Sequence, residues 1–158
     1  MAKLLVCYYS GSGNTKKMAE LVAEGAEKTG AQVDLKDVGK VSGDDLLKYD
    51  GIILGSPTYY GHPAAQIKKL IDESVEHHGE LQDKVGGAFS SAGGLGGGAE
   101  TTVRAMLDML LIHGMVVVGD SDGAHYGPVS VGPPDTKAQK ECRKYGKRVA
   151  ELTKKLHG

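Results

Sequence analysis

Six residues near the amino terminus, Ser10-Gly11-Ser12-Gly13-Asn14-Thr15, bring together three hydroxyls, one carboxamide and two glycines with no acid or base among them. They follow the apolar run Leu4-Leu5-Val6-Cys7-Tyr8-Tyr9 and precede a segment with helical spacing, so they stand where a strand hands over to a helix. A helix that starts there leaves its first N–H groups unpaired and aimed outward, which makes the loop an anion seat. Gly11 and Gly13 allow close backbone approach, while Ser10, Ser12, Asn14 and Thr15 add partners suited to phosphate oxygens. The spelling is neither of the two commoner phosphate loops: Walker A needs G-x-x-x-x-G-K-[ST], and G-x-G-x-x-G needs glycine where Lys16 stands. A monophosphate is the group that remains. The same residue types are also ordinary helix caps, so a capped βα turn without a ligand stays open at this point.

Other chemistry-bearing residues are sparse. Of eight aromatic residues, six (Tyr8, Tyr9, Tyr59, Tyr60, Phe89 and Tyr126) fall at or just past the carboxyl end of an expected strand. A flat aromatic cofactor at that edge accounts for the placement, with Tyr8 or Tyr9 and Phe89 alternatively turned into the core. Asp34, about twenty residues past Gly13, has the place of a ribose-binding acid, but the missing third glycine favours a solvated strand residue. His113 ends a helix, where a capping cation is the plain reading. His125 and Tyr126 belong to a solvated loop. His77 and His78 are adjacent and cannot share one helix face, so no structural zinc is expected. Cys7 lies in the buried opening run and Cys142 on a late amphipathic helix, which predicts one buried and one surface thiol rather than a disulfide.

The elements that must position these residues alternate. Asn14 to Lys28 has Met18, Leu21, Val22 and Gly25-Ala26 at helical spacing and stops at Gly30. Val33 and Leu35 alternate with Asp34 and Lys36 as a strand near the sheet edge, and Val41 to Tyr49 is polar with one apolar turn at Leu46-Leu47. Gly51 to Gly55 is a buried strand, Pro63 to Val75 a helix with proline in its first turn, and Val85 to Phe89 a fourth strand. Glu100 to Ile112 is a helix, Met115 to Val118 a fifth strand, Asp120 to Asp135 a long loop, and Lys137 to Leu156 an amphipathic closing helix. Strands and helices in this order predict a parallel sheet covered on both faces.

A chain of 158 residues, 40% hydrophobic and 25% charged, is expected to form one globular domain over 1–158. A net charge of −1 and the lack of a basic run make nucleic acid and anionic membrane poor partners. No apolar run is long enough for a bilayer and Met1 to Lys3 reads as no secretory signal, so a cytoplasmic location is expected.

Four stretches carry a resemblance: Y-Y-S-G-S-G-N-T, then Gly55 to Asp72 (G-S-P-T-Y-Y-G-H-P-A-A-Q-I-K-K-L-I-D), Phe89 to Thr102 (F-S-S-A-G-G-L-G-G-G-A-E-T-T) and His113 to Val118 (H-G-M-V-V-V). In this order they resemble the flavodoxin-like family, and within it the WrbA group of NAD(P)H:quinone oxidoreductases. The resemblance implies a three-layer α/β/α fold with a five-stranded parallel sheet in the order 2-1-3-4-5 and a ligand at the carboxyl ends of the strands. It implies FMN, with the phosphate on Ser10, Gly11, Ser12, Gly13, Asn14 and Thr15. Pro57, Thr58, Tyr59, Tyr60 and Gly61 would lie along the ring, with Tyr60 or Tyr59 stacking. Ser91, Ala92, Gly93, Gly94, Leu95, Gly96 and Gly97 would meet its pyrimidine edge, Tyr126 being a weaker contact. His113 would stand beside the flavin, orienting or protonating a quinone. NADH or NADPH would be the donor, a quinone the two-electron acceptor, and a homodimer or homotetramer the working unit. Two cysteines exclude an iron–sulfur variant, since such clusters usually take four.

The chain also departs from that pattern. The Gly93-Gly94-Leu95-Gly96 loop is one residue longer than the usual spelling, Ser74 to Lys84 is short, and tryptophan is absent, so a more open substrate pocket is expected. Two other functions stay in view: a flavodoxin-type electron carrier, which a net charge of −1 disfavours, and an FMN-binding regulatory module without turnover.

Overall fold

The computed structural model describes residues 1–158. Strand β1 (Lys3–Tyr8) leads to α1 (Asn14–Glu27), and β2 (Gln32–Asp37) to a short 3₁₀ turn and α2 (Gly43–Leu46). Then follow β3 (Gly51–Tyr59), the two-residue β4 (His62–Pro63), α3 (Ala65–Glu73) and β5 (Val85–Ala92). The chain closes with α4 (Ala99–Ile112), β6 (Val116–Val117), β7 (Val129–Val131) and α5 (Thr136–His157).

The sheet runs β2-β1-β3-β5-β6, with β4 on β3 and β7 on β5. All neighbours along the main path are parallel. With the β4 tongue set aside this is the expected order 2-1-3-4-5. The fifth position is split: β6 pairs with Val85 and Gly86 at the start of β5, and β7 pairs with Ser90 to Ala92 at its end. The stretch expected to be a loop from Asp120 to Asp135 therefore returns to the sheet at Val129–Val131, and the expected strand Met115 to Val118 shrinks to two residues. Pro63 also moves. It lies in the β4 tongue, not in the first turn of a helix, because Tyr60 (φ 51°) and Gly61 (φ 77°) both take left-handed backbone and close a two-residue hairpin between Thr58↔Pro63 and Tyr59↔His62.

Alternation along β1 divides the core. Leu4, Val6 and Tyr8 pack with Met18, Val22, Phe89, Tyr145 and Val149 under α1 and α5. Leu5 and Cys7 pack with Ile52, Leu54, Ile67, Met106 and Leu110 under α3 and α4. Phe89 and Tyr8 thus face the core. Cys142 does so as well: its side of α5 carries Tyr145 and Val149 inward, so the surface thiol expected there is buried, and burial pushes both thiols up to about 12.

Helices α1 and α5 meet backbone to backbone. A Cβ at Gly25 would stand 2.0 Å from the Arg143 carbonyl oxygen, and one at Gly146 would stand 1.9 Å from that of Val22. Neither backbone neighbour can yield as a flexible side chain can. Gly146→Ala is therefore expected to destabilise the fold by about 3 kcal/mol, the upper end for overpacking, against about 1 kcal/mol gained in helix propensity. Chemical denaturation measures the difference. An unchanged or raised midpoint would contradict the crossing.

Candidate functional site

At the carboxyl end of β1 the loop is shaped as its residues predict. Gly13 (φ 99°) caps α1 in a left-handed conformation without a side-chain cap, and the first turn of the helix carries no acid. Ser10 Oγ accepts from the N–H of Gly13 at 3.1 Å and of Lys16 at 3.3 Å, which occupies its acceptor capacity and frees its O–H to donate outward. The N–H groups of Asn14 and Thr15 have no partner in the chain, whereas Lys17 N–H closes the first helical bond to Gly13. Gly11, Ser12 and Gly13 are exposed, Asn14 half-exposed. Unpartnered donors at a long helix start, a glycine cradle and no carboxylate fit a phosphate monoester.

Thr15 differs from expectation. It is 1% exposed, and its Oγ1 pairs with Ser91 Oγ at 2.9 Å instead of facing outward. That bond ties the first loop to the end of β5. A second hydroxyl pair, Thr58 with Ser90 at 2.9 Å, ties the β3 arm to the same strand. The tongue is held in turn: Thr101 Oγ1 lies 2.9 Å from the Gly61 carbonyl, and a Cβ at Gly98 would stand only 3.0 Å from Gly61 Cα. Tyr59 reaches the other way, its hydroxyl so close over Gly11 that a Cβ there would stand 2.7 Å from it, with the ring edge-on to Tyr9 at 6.5 Å. The segments 10–15, 57–61 and 91–98 thus converge on one crevice. Tyr60 projects fully exposed from the tongue, and Gly93 to Gly97 lie exposed with Leu95 outward. Ser91 and Ala92 are buried in the strand end.

His113 does not join them. Helix α4 runs back against the strands, so its C-terminal cap lies at the amino edge, where Val116 pairs with Val85. Seven strand steps of roughly 3.3 Å separate Val85 from Ala92, about 23 Å, so His113 is far from the crevice of its own chain. Its expected place beside the ring is corrected accordingly. Ser74 Oγ donates to the Ile71 carbonyl and so accepts from His113 Nε2–H at 2.8 Å, which leaves His113 Nδ1 buried and unpartnered. Burial, and then the neighbouring His78, hold its pKa below the usual histidine value. The neutral ring is a packed cap. It is not the capping cation that a helix end favours.

Tyr126 sits on the other side of the glycine loop. With Gly94 to Gly97, β7 and the first turns of α4 and α5 it lines a cavity of about 660 Å³ that no residue of Ser10–Thr15 or Pro57–Gly61 touches. The aromatic edge therefore divides: Tyr9, Tyr59 and Tyr60 at the crevice, Tyr126 at the cavity, Tyr8 and Phe89 in the core. Thr15, Thr58 and Ser91 were legible in the sequence as cofactor contacts, but Ser90 and the pairing of the four hydroxyls were not. Adjacent serines ending an otherwise apolar strand, Ser90-Ser91, were the available signal.

Residues 5–111 match the flavodoxin domain. The chain belongs to the flavodoxin family. It is 43% identical to a protein of Aquifex aeolicus (strain VF5) named flavodoxin, over 160 positions covering 96% of this chain and 86% of that one. It is 37% identical to the NAD(P)H dehydrogenase (quinone) of Rhodopseudomonas palustris (strain TIE-1) over 199 positions, end to end in both chains. Because this chain has 158 residues, at least 41 of those positions have no counterpart in it. The crystal structure of the flavodoxin, WrbA-like protein from Agrobacterium tumefaciens superposes with a TM-score of 0.86 at 32% identity over 99% of each chain. The flavodoxin domain implies FMN, and the crevice fits its phosphate.

The Thr15–Ser91 pair can be tested apart from any ligand. Thr15→Val leaves the buried Ser91 hydroxyl unpaired and is expected to cost about 1–3 kcal/mol, while adding Ser91→Ala should recover most of it. Denaturation of both variants measures the coupling. Additive losses would deny the bond.

Proposed function

We propose that the whole chain, residues 1–158, is one FMN-binding domain that acts as an NAD(P)H:quinone oxidoreductase. The observation that carries this reading is the end-to-end similarity to relatives named NAD(P)H dehydrogenase (quinone), joined to a crevice suited to a phosphorylated flavin. Ser10 O–H and the N–H groups of Asn14 and Thr15 hold the phosphate, with Gly11, Ser12 and Gly13 shaping the loop around it and the Ser12 and Asn14 side chains at its rim. Pro57, Thr58, Tyr59, Tyr60 and Gly61 wall the ring, Tyr60 or Tyr59 stacking on it. The Gly93 to Gly96 backbone meets its polar edge, where glycine lets it approach, while Gly97 N–H donates to the Gly94 carbonyl and Ser91 and Ala92 support the loop from the paired strand end. FMN, when bound, supplies hydride acceptance from NADH or NADPH and two-electron delivery to a quinone. The protein binds, orients and excludes water. No residue is assigned as a proton donor, since His113 lies at the opposite edge.

One chain leaves the crevice open: Tyr60 is fully exposed, Leu95 nearly so, and at least 41 positions of the quinone-named relatives are missing. A small-molecule site usually buries most of its ligand, so a homodimer or homotetramer, with a second copy closing the ring's open face, is part of the proposal. Its place would be the cytoplasm. No helix is long and apolar enough to cross a membrane.

A second reading, an electron carrier, has its own support: the Aquifex aeolicus relative named flavodoxin is 43% identical over 160 positions, a span much nearer this chain's length than the 199 of the quinone-named relatives. Stopped-flow mixing of the FMN-loaded protein separates the two. NADH or NADPH is expected to bleach the flavin with two electrons per FMN, and menadione to restore its colour within the turnover time. A flavin that stays oxidised with both nucleotides, yet is reduced by a partner reductase, would make the carrier reading correct.

A further inference from the structure

The net charge of −1 is unevenly spread through the fold. Helix α5 carries eight of the chain's 19 lysines and arginines but only two of its 20 acids, Glu141 and Glu151, which leaves 11 bases against 18 acids elsewhere. The sequence shows no basic run because these cations are interleaved with Cys142, Tyr145, Val149 and Thr153, which face the core. At about 100° per residue, Lys137, Lys140, Lys147, Arg148, Lys154 and Lys155 fall within an arc of roughly 120° opposite that buried side. All six are exposed. At about 1.5 Å per residue the stripe is about 27 Å long.

Pairing removes little of this charge. Arg143 is bound to Glu24 at 2.9 Å and Lys144 to Asp120 at 2.8 Å, but both cations are half-buried beside the stripe. Within the stripe only Lys147 has a carboxylate near it, Glu151 at 3.7 Å, and an exposed pair at that separation neutralises little. Arg148 donates to the Gly119 carbonyl at 2.7 Å and Lys154 to that of Thr29, so both keep their full charge. The other face of the sheet has the opposite character, with Asp44, Asp72, Glu73 and Glu76 exposed around α2 and α3.

We infer that the exposed stripe of α5 is a docking face for an anionic lipid bilayer. Clusters of roughly four to eight lysines and arginines adsorb to such surfaces, and the acidic far side turns the protein so that α5 faces the lipid. Five of the six cations are lysines, compact charges without the planar fork that reads a single phosphate or carboxylate. The helix exposes no tyrosine, phenylalanine or tryptophan that could stack on a base. Its apolar side is spent on the core, so attachment is electrostatic and nothing inserts. The expectation that anionic membrane is a poor partner came from net charge alone, and the fold separates that charge into two faces. Preference for a bilayer over an acidic protein rests on the function proposed above, since apolar quinones dissolve in membrane hydrocarbon and a reductase on the surface meets them there.

The test sediments the oxidised, FMN-loaded protein with vesicles of equimolar phosphatidylglycerol and phosphatidylcholine, and with phosphatidylcholine alone. Binding is expected to the first only, and raising salt from about 50 mM to about 500 mM should weaken it at least about tenfold. The triple variant Lys140→Gln, Lys147→Gln, Lys155→Gln should lose a similar share. An equal loss of charge on the other face, Lys40→Gln with Lys68→Gln and Lys69→Gln, should leave most of the binding. Equal binding to both vesicles, binding to neither, or equal loss in the two triple variants would overturn the docking face. Capture by poly-L-glutamate or duplex DNA without binding to vesicles would give the stripe another occupant and overturn it as well. The two readings fail separately. If NADH bleaches the flavin and menadione restores it in solution while anionic vesicles are ignored, the docking face is wrong and the activity stands. If the vesicles bind while both nucleotides leave the flavin oxidised, the activity is wrong and the docking face stands.

Discussion

Two hydroxyl pairs at the carboxyl edge, the buried Thr15 with Ser91 and the part-buried Thr58 with Ser90, are what the rest of the site depends on. A parallel sheet fixes its strands but leaves the loops beyond them free, and three such loops must agree on one crevice. Neighbouring serines at the end of β5 meet one threonine from each of the other two loops. Each neutral pair contributes only about 1 kcal/mol net, but an unpaired buried hydroxyl costs about 1–3 kcal/mol, so the arrangement specifies register more than it adds stability. Gly98 against Gly61 and Tyr59 over Gly11 complete the frame from the outside.

This frame lets the first loop work without charge. Because Thr15 is spent internally and Ser10 gathers the N–H groups of Gly13 and Lys16, the outward donors are Ser10 O–H and the N–H groups of Asn14 and Thr15. A helix start supplies the favourable potential for an anion in place of a lysine or arginine. Lys16 and Lys17 follow at once but are exposed, and Lys17 lies 3.7 Å from Glu20. Selectivity for a phosphorylated ligand would then come from directed hydrogen bonds, which a diffuse positive field does not provide.

Much of the fold was legible because each layer repeats one signal. Runs such as Leu4 to Cys7 and Ile52 to Leu54 are buried on both faces, and glycine or a polar loop ends every element, so the succession of strands and helices followed from alternation, while the sheet order 2-1-3-4-5 was what the resemblance implied. What escaped was short or non-local. Val129-Ser130-Val131 is three residues between Pro128 and Gly132, too brief for periodicity to mark as strand, and only its pairing with the end of β5 makes it one. The Tyr60–Gly61 hairpin hides because tyrosine is a poor advertisement for left-handed backbone. Cys142 reads as surface in a helix whose inward face is narrow. His113 was placed beside the ring by the resemblance, whereas a helix leaving the carboxyl edge must end at the amino edge of its own chain, which the alternation of elements already implied. The hydroxyl pairs join residues 76 and 32 positions apart, which no local pattern encodes.

That the stapled loops form a seat for a phosphate monoester is tested most directly by titrating the flavin-free protein with FMN and with riboflavin, which differ only in the phosphate. Hydrogen bonds to a charged group contribute roughly 1.5–3 kcal/mol each, so two of them should make FMN bind at least a hundredfold more tightly than riboflavin. Equal affinities for FMN and riboflavin, or no binding of either, would contradict the seat.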